Sequence, residues 1–263
     1  MTSEERERYD RDGFLVRTSV LSPAEVDDLR MAVEAVAASV KARAMRDGAG
    51  PEGLLADGHR IQFSSRAAIQ WEWREGSQAI RLIEPVAHLD PRLAALFADP
   101  RLLQPMQDAL NTDDVGPFTS KLNLKRAEEG SEFPYHQDYP YWYVVVEEHA
   151  ADIATAIVFL DEALAGNGAL RVLPGSHRHG PAPRDPTDPT RFLADPTRLD
   201  RDGEITVEVP AGSMLVFGSQ LVHRSSPNTT GADRRALLLS FQPSGRPQFH
   251  ELPFRAELVE QLP

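Results

Sequence analysis

The chain of 263 residues contains no cysteine. That excludes disulfide bridges, thiolate-bound zinc and thiol nucleophiles, and it suits a reducing compartment. Positive charge is scarce as well: 28 basic residues stand against 40 acidic ones, for a net charge of −12. Nucleic-acid binding through a basic face is therefore not expected, and a strongly anionic substrate would need a local basic pocket. No run approaches the ~18 consecutive apolar residues of a membrane span. The opening Met1-Thr2-Ser3-Glu4-Glu5-Arg6 lacks the apolar stretch of a secretion signal. The expectation is a cytoplasmic protein with a small-molecule substrate and no nucleic-acid or membrane partner, as a monomer or homodimer.

What is present is ordered along the chain. Tyr9-Asp10-Arg11-Asp12-Gly13 followed by Phe14-Leu15-Val16 reads as a helix end, a glycine turn and a short strand. Ser22-Pro23-Ala24-Glu25 has the Ser-x-x-Glu capping pattern with proline at the first helical position. Val26, Leu29, Val33, Val36 and Val40 follow at helical spacing, which predicts an amphipathic helix from Pro23 to Arg46. Residues 47–58 read as a loop, and residues 60–63 as a short strand. Asp90-Pro91 and Asp99-Pro100 look like helix caps opening short helices over residues 92–97 and 101–110.

From Gly116 the pattern changes. Residues 118–125, 153–160, 169–173, 204–209, 213–217 and 236–241 are short apolar or alternating runs separated by Gly, Pro, Asn and Asp. That is the pattern of a sandwich or barrel. Residues 177–203, rich in Pro, Asp and Arg, read as a surface loop or lid. One domain spans 1–263: a helical flanking part at 1–115 and a β-core at 116–245. The fold is mainly β with flanking α-helices.

The chemistry concentrates in Phe133-Pro134-Tyr135-His136-Gln137-Asp138-Tyr139-Pro140-Tyr141-Trp142. If residues 135–138 are extended, His136 and Asp138 point to one face. A second imidazole would complete a 2-His-1-carboxylate triad, which leaves positions open on non-heme iron(II). The His-x-Asp pair is weak alone, since about 0.6 occurrences are expected by chance. A second pair, His88-Leu89-Asp90, is set aside because Asp90 is explained as a helix cap. His223, read as ending an apolar strand after the Pro210-Ala211-Gly212-Ser213 turn, can supply the second imidazole. Arg234, eleven residues further on, can hold a distal carboxylate through its guanidinium fork.

With these residues the sequence resembles the phytanoyl-CoA dioxygenase family of iron(II)/2-oxoglutarate-dependent oxygenases, in its ectoine- and amino-acid-hydroxylating branch. Asp12-Gly13-Phe14-Leu15, Lys121-Leu122-Asn123-Leu124-Lys125 and Gly168-Ala169-Leu170-Arg171-Val172-Leu173-Pro174-Gly175-Ser176-His177 match its motifs in order, as does His223-x-Ser225-x-x-Asn228. The resemblance implies a double-stranded β-helix core, jelly-roll and cupin-like. It implies iron(II) bound by His136, Asp138 and His223, and 2-oxoglutarate bound by Arg234 and Ser225 with Asn123. Dioxygen is the further cosubstrate, and succinate and CO2 are the coproducts. Arg235 is a rival to Arg234, but only one can face the pocket, and the family spacing favours Arg234. His177 and His179 are left out as part of a structural turn. Trp142 matches the family's His-x-Asp-x-x-x-Trp pattern. With Thr119 and Lys121 it outlines a pocket for a small polar substrate, and Trp71, Trp73 and residues 139–148 are expected at its rim. Asp138 is intact where halogenating relatives have Ala or Gly, which favours oxygen insertion. The alternatives are desaturation, cyclisation or epimerisation of a secondary metabolite, or a cupin-like metal-binding protein without turnover.

Overall fold

Thr2 and Glu5 close a capping box at the start of α1 (Ser3–Asp12), and Gly13 ends it with a φ of 84°. The computed structural model describes residues 1–46, 52–55, 57–64, 67–72, 77–188, 190–253 and 255–262. After β1 (Phe14–Arg17), Ser22 and Glu25 exchange the expected capping hydrogen bonds, and α2 runs over Pro23–Arg46 as its spacing predicts. Its buried residues are Val26, Leu29, Ala32, Val33, Val36 and Ala37. Four short strands follow: β2 (Glu52–Leu54), β3 (Arg60–Phe63), β4 (Ala68–Trp71) and β5 (Ile80–Glu84). Asp90 and Asp99 cap α3 (Pro91–Ala95) and α4 (Pro100–Leu110) through the amides of Arg92 and Arg101.

The remaining elements are β6 (Val115–Lys125), β7 (Phe133–His136), α5 (Asp138–Val146), β8 (Ala154–Phe159), β9 (Leu170–Val172), β10 (Ile205–Thr206), β11 (Met214–Gly218), β12 (His223–Ser225) and β13 (Arg234–Pro243). They build two antiparallel sheets. One has nine strands in the order β1-β11-β8-β13-β6-β5-β4-β3-β2, and the other has four in the order β10-β9-β12-β7. Two such sheets flanked by helices are consistent with a double-stranded β-helix core. None of the helices is long and apolar enough, among the described residues, to cross a membrane.

Alternation along the central strands separates two cores. Ala154, Ala156, Val158, Leu237, Leu239 and Phe241 face the helices, while Ile157, Phe159, Leu215, Phe217 and Ala236 face the small sheet. The inner face of the large sheet is therefore the floor of any site between the sheets.

Three expectations need correction. The flanking part is not simply helical, because β1 to β5 all join the large sheet. The loop expected over residues 47–58 contains β2, an edge strand paired with β3, and part of that stretch lies outside the described residues. His223 does not end the strand that follows Gly212. β11 stops at Gly218, the Leu221 amide closes a tight turn onto the Gly218 carbonyl, and β12 starts in the other sheet. The change of sheet falls at Gly218-Ser219-Gln220, a polar break between two apolar stretches.

Gly168 shows why the motif around it is stringent. Its φ is 84°, and a Cβ there would lie 2.5 Å from the Ser226 carbonyl oxygen and 2.6 Å from Lys125 Cδ. Backbone and a buried side chain would both have to move. Gly168→Ala is expected to destabilise the protein by about 2–4 kcal/mol. Chemical denaturation should show it, and an unchanged midpoint would contradict this packing.

Candidate active site

β7 and β12 are neighbours in the small sheet, and their register sets His136 directly opposite His223. The two imidazole centroids are 4.2 Å apart. Gln137 keeps an extended backbone, with φ −114° and ψ 151°. Asp138 is the first residue of α5 rather than a strand residue, so the extended stretch is one residue shorter than expected. The carboxylate nonetheless returns to the face of His136, because the intervening residue is extended. Ligand atoms of His136, Asp138 and His223 all lie within 4.8 Å of one another.

The bend between strand and helix is pinned by Gln137. Its buried amide donates to the carbonyls of Gly180 and Gln220 and accepts from the Ala182 amide. The Tyr139 amide bonds the Ser219 carbonyl. On the outer face of the small sheet, Glu204 accepts from Tyr135 and from Arg224 and Arg171. Burial raises that carboxyl, but these donors outweigh it and hold its pKa down at about 2.

Both histidines are oriented for metal. Nδ1 of His136 lies 2.7 Å from the Pro134 carbonyl oxygen, and Nδ1 of His223 lies 2.9 Å from that of Leu221. A carbonyl only accepts, so each Nδ1 carries the proton and each Nε2 keeps its lone pair. Burial, and then the neighbouring His223, push the His136 pKa down to about 3; burial also lowers His223. Both rings are thus neutral at physiological pH, the form a metal ion requires. The unfolded chain protonates near pH 6.5, so stability from these neutral rings is present above that pH. It is lost as pH falls toward the folded-state value. The metal-free protein should therefore lose stability between about pH 6.5 and pH 3, with a smaller loss in a His136→Gln/His223→Gln variant. Melting curves across that window provide the check.

Next to the triad is a cavity of about 70 Å³ whose wall includes Lys121, Asn123, Ser225 and Arg234 together with Leu82, Phe133, Leu170 and Leu238. Arg234 is buried on the inner face of β13, and its Nη2 donates to the Gly168 carbonyl at 2.5 Å. Its Nε finds no hydrogen-bond partner among the described residues. Burial lowers its pKa to about 10, with Asp161 partly opposing. Arg235 points the other way, to Asp161 and to Glu34 of α2. Ser225 is buried one alternation beyond His223, and Asn123 leaves its Oδ1 unpaired and buried. With both residues on the wall of one small cavity, the unpartnered guanidinium N–H of Arg234 fits an anionic group, whereas the Asn123 amide oxygen only accepts and calls for a donor. The donor set of two imidazoles and one carboxylate fits iron(II) beside it.

Lys121 lines the same cavity, whereas Thr119 and Trp142 do not. Trp142 is buried in an aromatic cluster with Phe118 and Tyr139, and Lys121 Nζ lies 5.7 Å over its ring. Thr119 gives its hydroxyl to Glu84 at 2.8 Å. Trp71 is buried in the helix-side core rather than at a rim, and Trp73 lies outside the described residues. Residues 177–203 fold back on the site. Leu193 forms a β-bridge to His136, and Phe192 stacks on Tyr141 at 4.6 Å. Glu84, Leu82 and Phe192 had no motif to mark them; the available signal was a carboxylate ending the mostly apolar run Ile80-Arg81-Leu82-Ile83-Glu84.

A two-sheet fold with a His-x-Asp…His triad and a buried arginine alongside defines a non-heme iron oxygenase. The profile of the phytanoyl-CoA dioxygenase family matches residues 9–236, and the chain belongs to that family. It is 27% identical to L-proline trans-4-hydroxylase of Streptomyces griseoviridis over 89% of this chain and 84% of that protein. It is 29% identical to the ectoine dioxygenase of Bordetella parapertussis over 87% of this chain and 71% of that protein. The solved structure of EctD from S. alaskensis with 2-oxoglutarate and 5-hydroxyectoine superposes with a TM-score of 0.70 at 25% identity, covering 95% of this chain and 83% of that one. The protein is thus an iron(II)/2-oxoglutarate-dependent dioxygenase. Membership sets aside the cupin-like protein without turnover.

Proposed function

We propose that the chain hydroxylates an unactivated C–H bond of an amino acid or a comparable polar natural-product intermediate. The observation that carries this reading is the buried Arg234, which lines the cavity beside the His136-Asp138-His223 triad and whose Nε finds no partner among the described residues. Leaving a buried charge without compensation is costly, and the distal carboxylate of 2-oxoglutarate supplies the compensation through a charge-assisted pair. Ser225 adds a hydroxyl donor, and Asn123 adds an amide from β6. His136, Asp138 and His223 hold the metal, and iron with 2-oxoglutarate and dioxygen supplies the oxidant, yielding succinate and CO2.

The chain's own part is orientation and the exclusion of water. Carbonyls of Pro134 and Leu221 fix the imidazoles, and Gln137 fixes the turn that brings Asp138 to them. Lys121 presents an ammonium to the substrate side, with Trp142 and Thr119 behind it as support. Phe192 and Tyr141 stand at the edge of the triad as an aromatic wall. The reading places the enzyme in the reducing cytoplasm, as a monomer or homodimer.

The test is anaerobic addition of iron(II) and 2-oxoglutarate to the purified protein, followed by oxygen. A visible charge-transfer band and slow uncoupled succinate formation are expected. Neither signal appearing would sink the assignment.

A further inference from the structure

The side of the site opposite Arg234 carries an ion pair that the protein leaves open. Lys121 Nζ is 3.9 Å from Glu84 Oε1 and 3.9 Å from Asp138 Oδ1, too far for a hydrogen bond to either. Its Nζ also lies 5.7 Å over the Trp142 ring. Glu84 accepts one hydrogen bond, from Thr119 to Oε1, and Oε2 accepts none among the described residues. Neither group is sealed: 16% of the Lys121 side chain and 17% of the Glu84 side chain remain accessible, although both lie deep between the sheets. Both belong to the inner face, since Leu82, two residues before Glu84, pairs with Asn123, two residues after Lys121.

A buried ion pair is expected to have its remaining donors and acceptors satisfied, because desolvation otherwise exceeds the Coulomb gain. Here both side chains keep accessible surface instead, Lys121 on the wall of the cavity beside the triad and Glu84 next to it. Burial pushes the Glu84 carboxyl up, with Lys121 and Thr119 opposing, so a further cation at Oε2 favours its charged form. The occupant that satisfies both partners offers an acceptor to Lys121 and a charged N–H donor to Glu84. In an α-amino or imino acid, the two charges sit one carbon apart and can lie antiparallel to a pair 3.9 Å wide.

Resting on the oxygenase reading, we infer that Glu84 is a specificity-determining residue. Its carboxylate reads the cationic nitrogen of a zwitterionic substrate whose carboxylate meets Lys121. Lys121 also neighbours Asp138, so a molecule read by this pair lies beside the metal triad.

The experiment uses the full chain loaded anaerobically with iron(II) and 2-oxoglutarate. Its charge-transfer band is titrated with the neutral free L-amino acids and L-proline, with their N-acetyl derivatives, and with their amides. At least one free amino acid should perturb the band, with its N-acetyl and amide forms about 10- to 100-fold weaker. Glu84→Gln should weaken the free form by a similar factor and abolish discrimination against the N-acetyl form. Glu84→Asp should restore part of it. Affinity for 2-oxoglutarate and the melting temperature should stay unchanged in both variants, which a merely structural role for Glu84 would not allow. The inference is overturned if N-acetyl derivatives bind as well as free amino acids, if Glu84→Gln still discriminates, or if a normal band responds to no free amino acid. A wild-type protein that forms no band would strike the oxygenase reading itself, and this inference with it.

Discussion

Asp138→Ala is expected to abolish hydroxylation, with turnover falling at least about 10³-fold. Asp138 is the one anionic member of the triad, delivered to the two imidazoles by the extended Gln137 and the first turn of α5. Its removal leaves two neutral rings 4.2 Å apart and an ammonium, Lys121, without one of its two nearby carboxylates. Both changes work against a divalent cation. Metal content measured after dialysis against iron(II) should fall together with succinate formation. Asp138→Glu keeps the charge on a longer arm, so it should retain metal better than activity, because orientation is what the longer arm loses. Full activity in Asp138→Ala would remove Asp138 from the triad.

The second large effect separates two adjacent arginines. Arg234→Ala should raise the KM for 2-oxoglutarate by about 10²- to 10³-fold, the range for deleting one partner of a buried charge pair. Metal content should be nearly unchanged, since Arg234 is not among the grouped ligands. Arg235→Ala should leave that KM within about twofold and cost about 1–3 kcal/mol of stability instead. It removes hydrogen bonds to Asp161 and Glu34 on the helix side of the sheet. Steady-state kinetics and urea melts of the two variants distinguish these outcomes. A reversed pattern would mean that β13 is misregistered by one residue.

The sequence carried the chemistry well and the connections less well. The grouping of His136, Asp138 and His223, with Arg234 on the adjoining cavity, was legible because short motifs follow one another in fixed order. The preference for Arg234 over Arg235 came from spacing, and alternation along β13 supplies its physical reason: Ala236 faces the small sheet and Leu237 the helices. Capping patterns located α2, α3 and α4, because Ser22, Asp90 and Asp99 satisfy amides two or three residues away. Non-local pairing was not legible. Gly218-Ser219-Gln220 marks a break in residues 215–223, but nothing there announces that the chain leaves one sheet for the other. Likewise nothing in a Pro- and Asp-rich stretch announces a bridge from Leu193 to His136. Glu84 was missed for the same reason, since its neighbours Thr119 and Lys121 come from another strand.

That bridge has a consequence for solubility. β7 is the last strand of the small sheet, so its outer edge would expose backbone groups able to recruit a strand from another molecule. Leu193 and Ala194 occupy this edge: the Ala194 amide bonds the Tyr135 carbonyl, and Asp188 receives the amides of Thr190, Phe192 and Leu193 to hold these residues in shape. The insertion therefore acts as a selvage on the metal-bearing sheet. Trimming it in search of a more open active site would unravel the ligand strand and leave a sticky border, so a shortened chain should aggregate before it gains access for larger substrates.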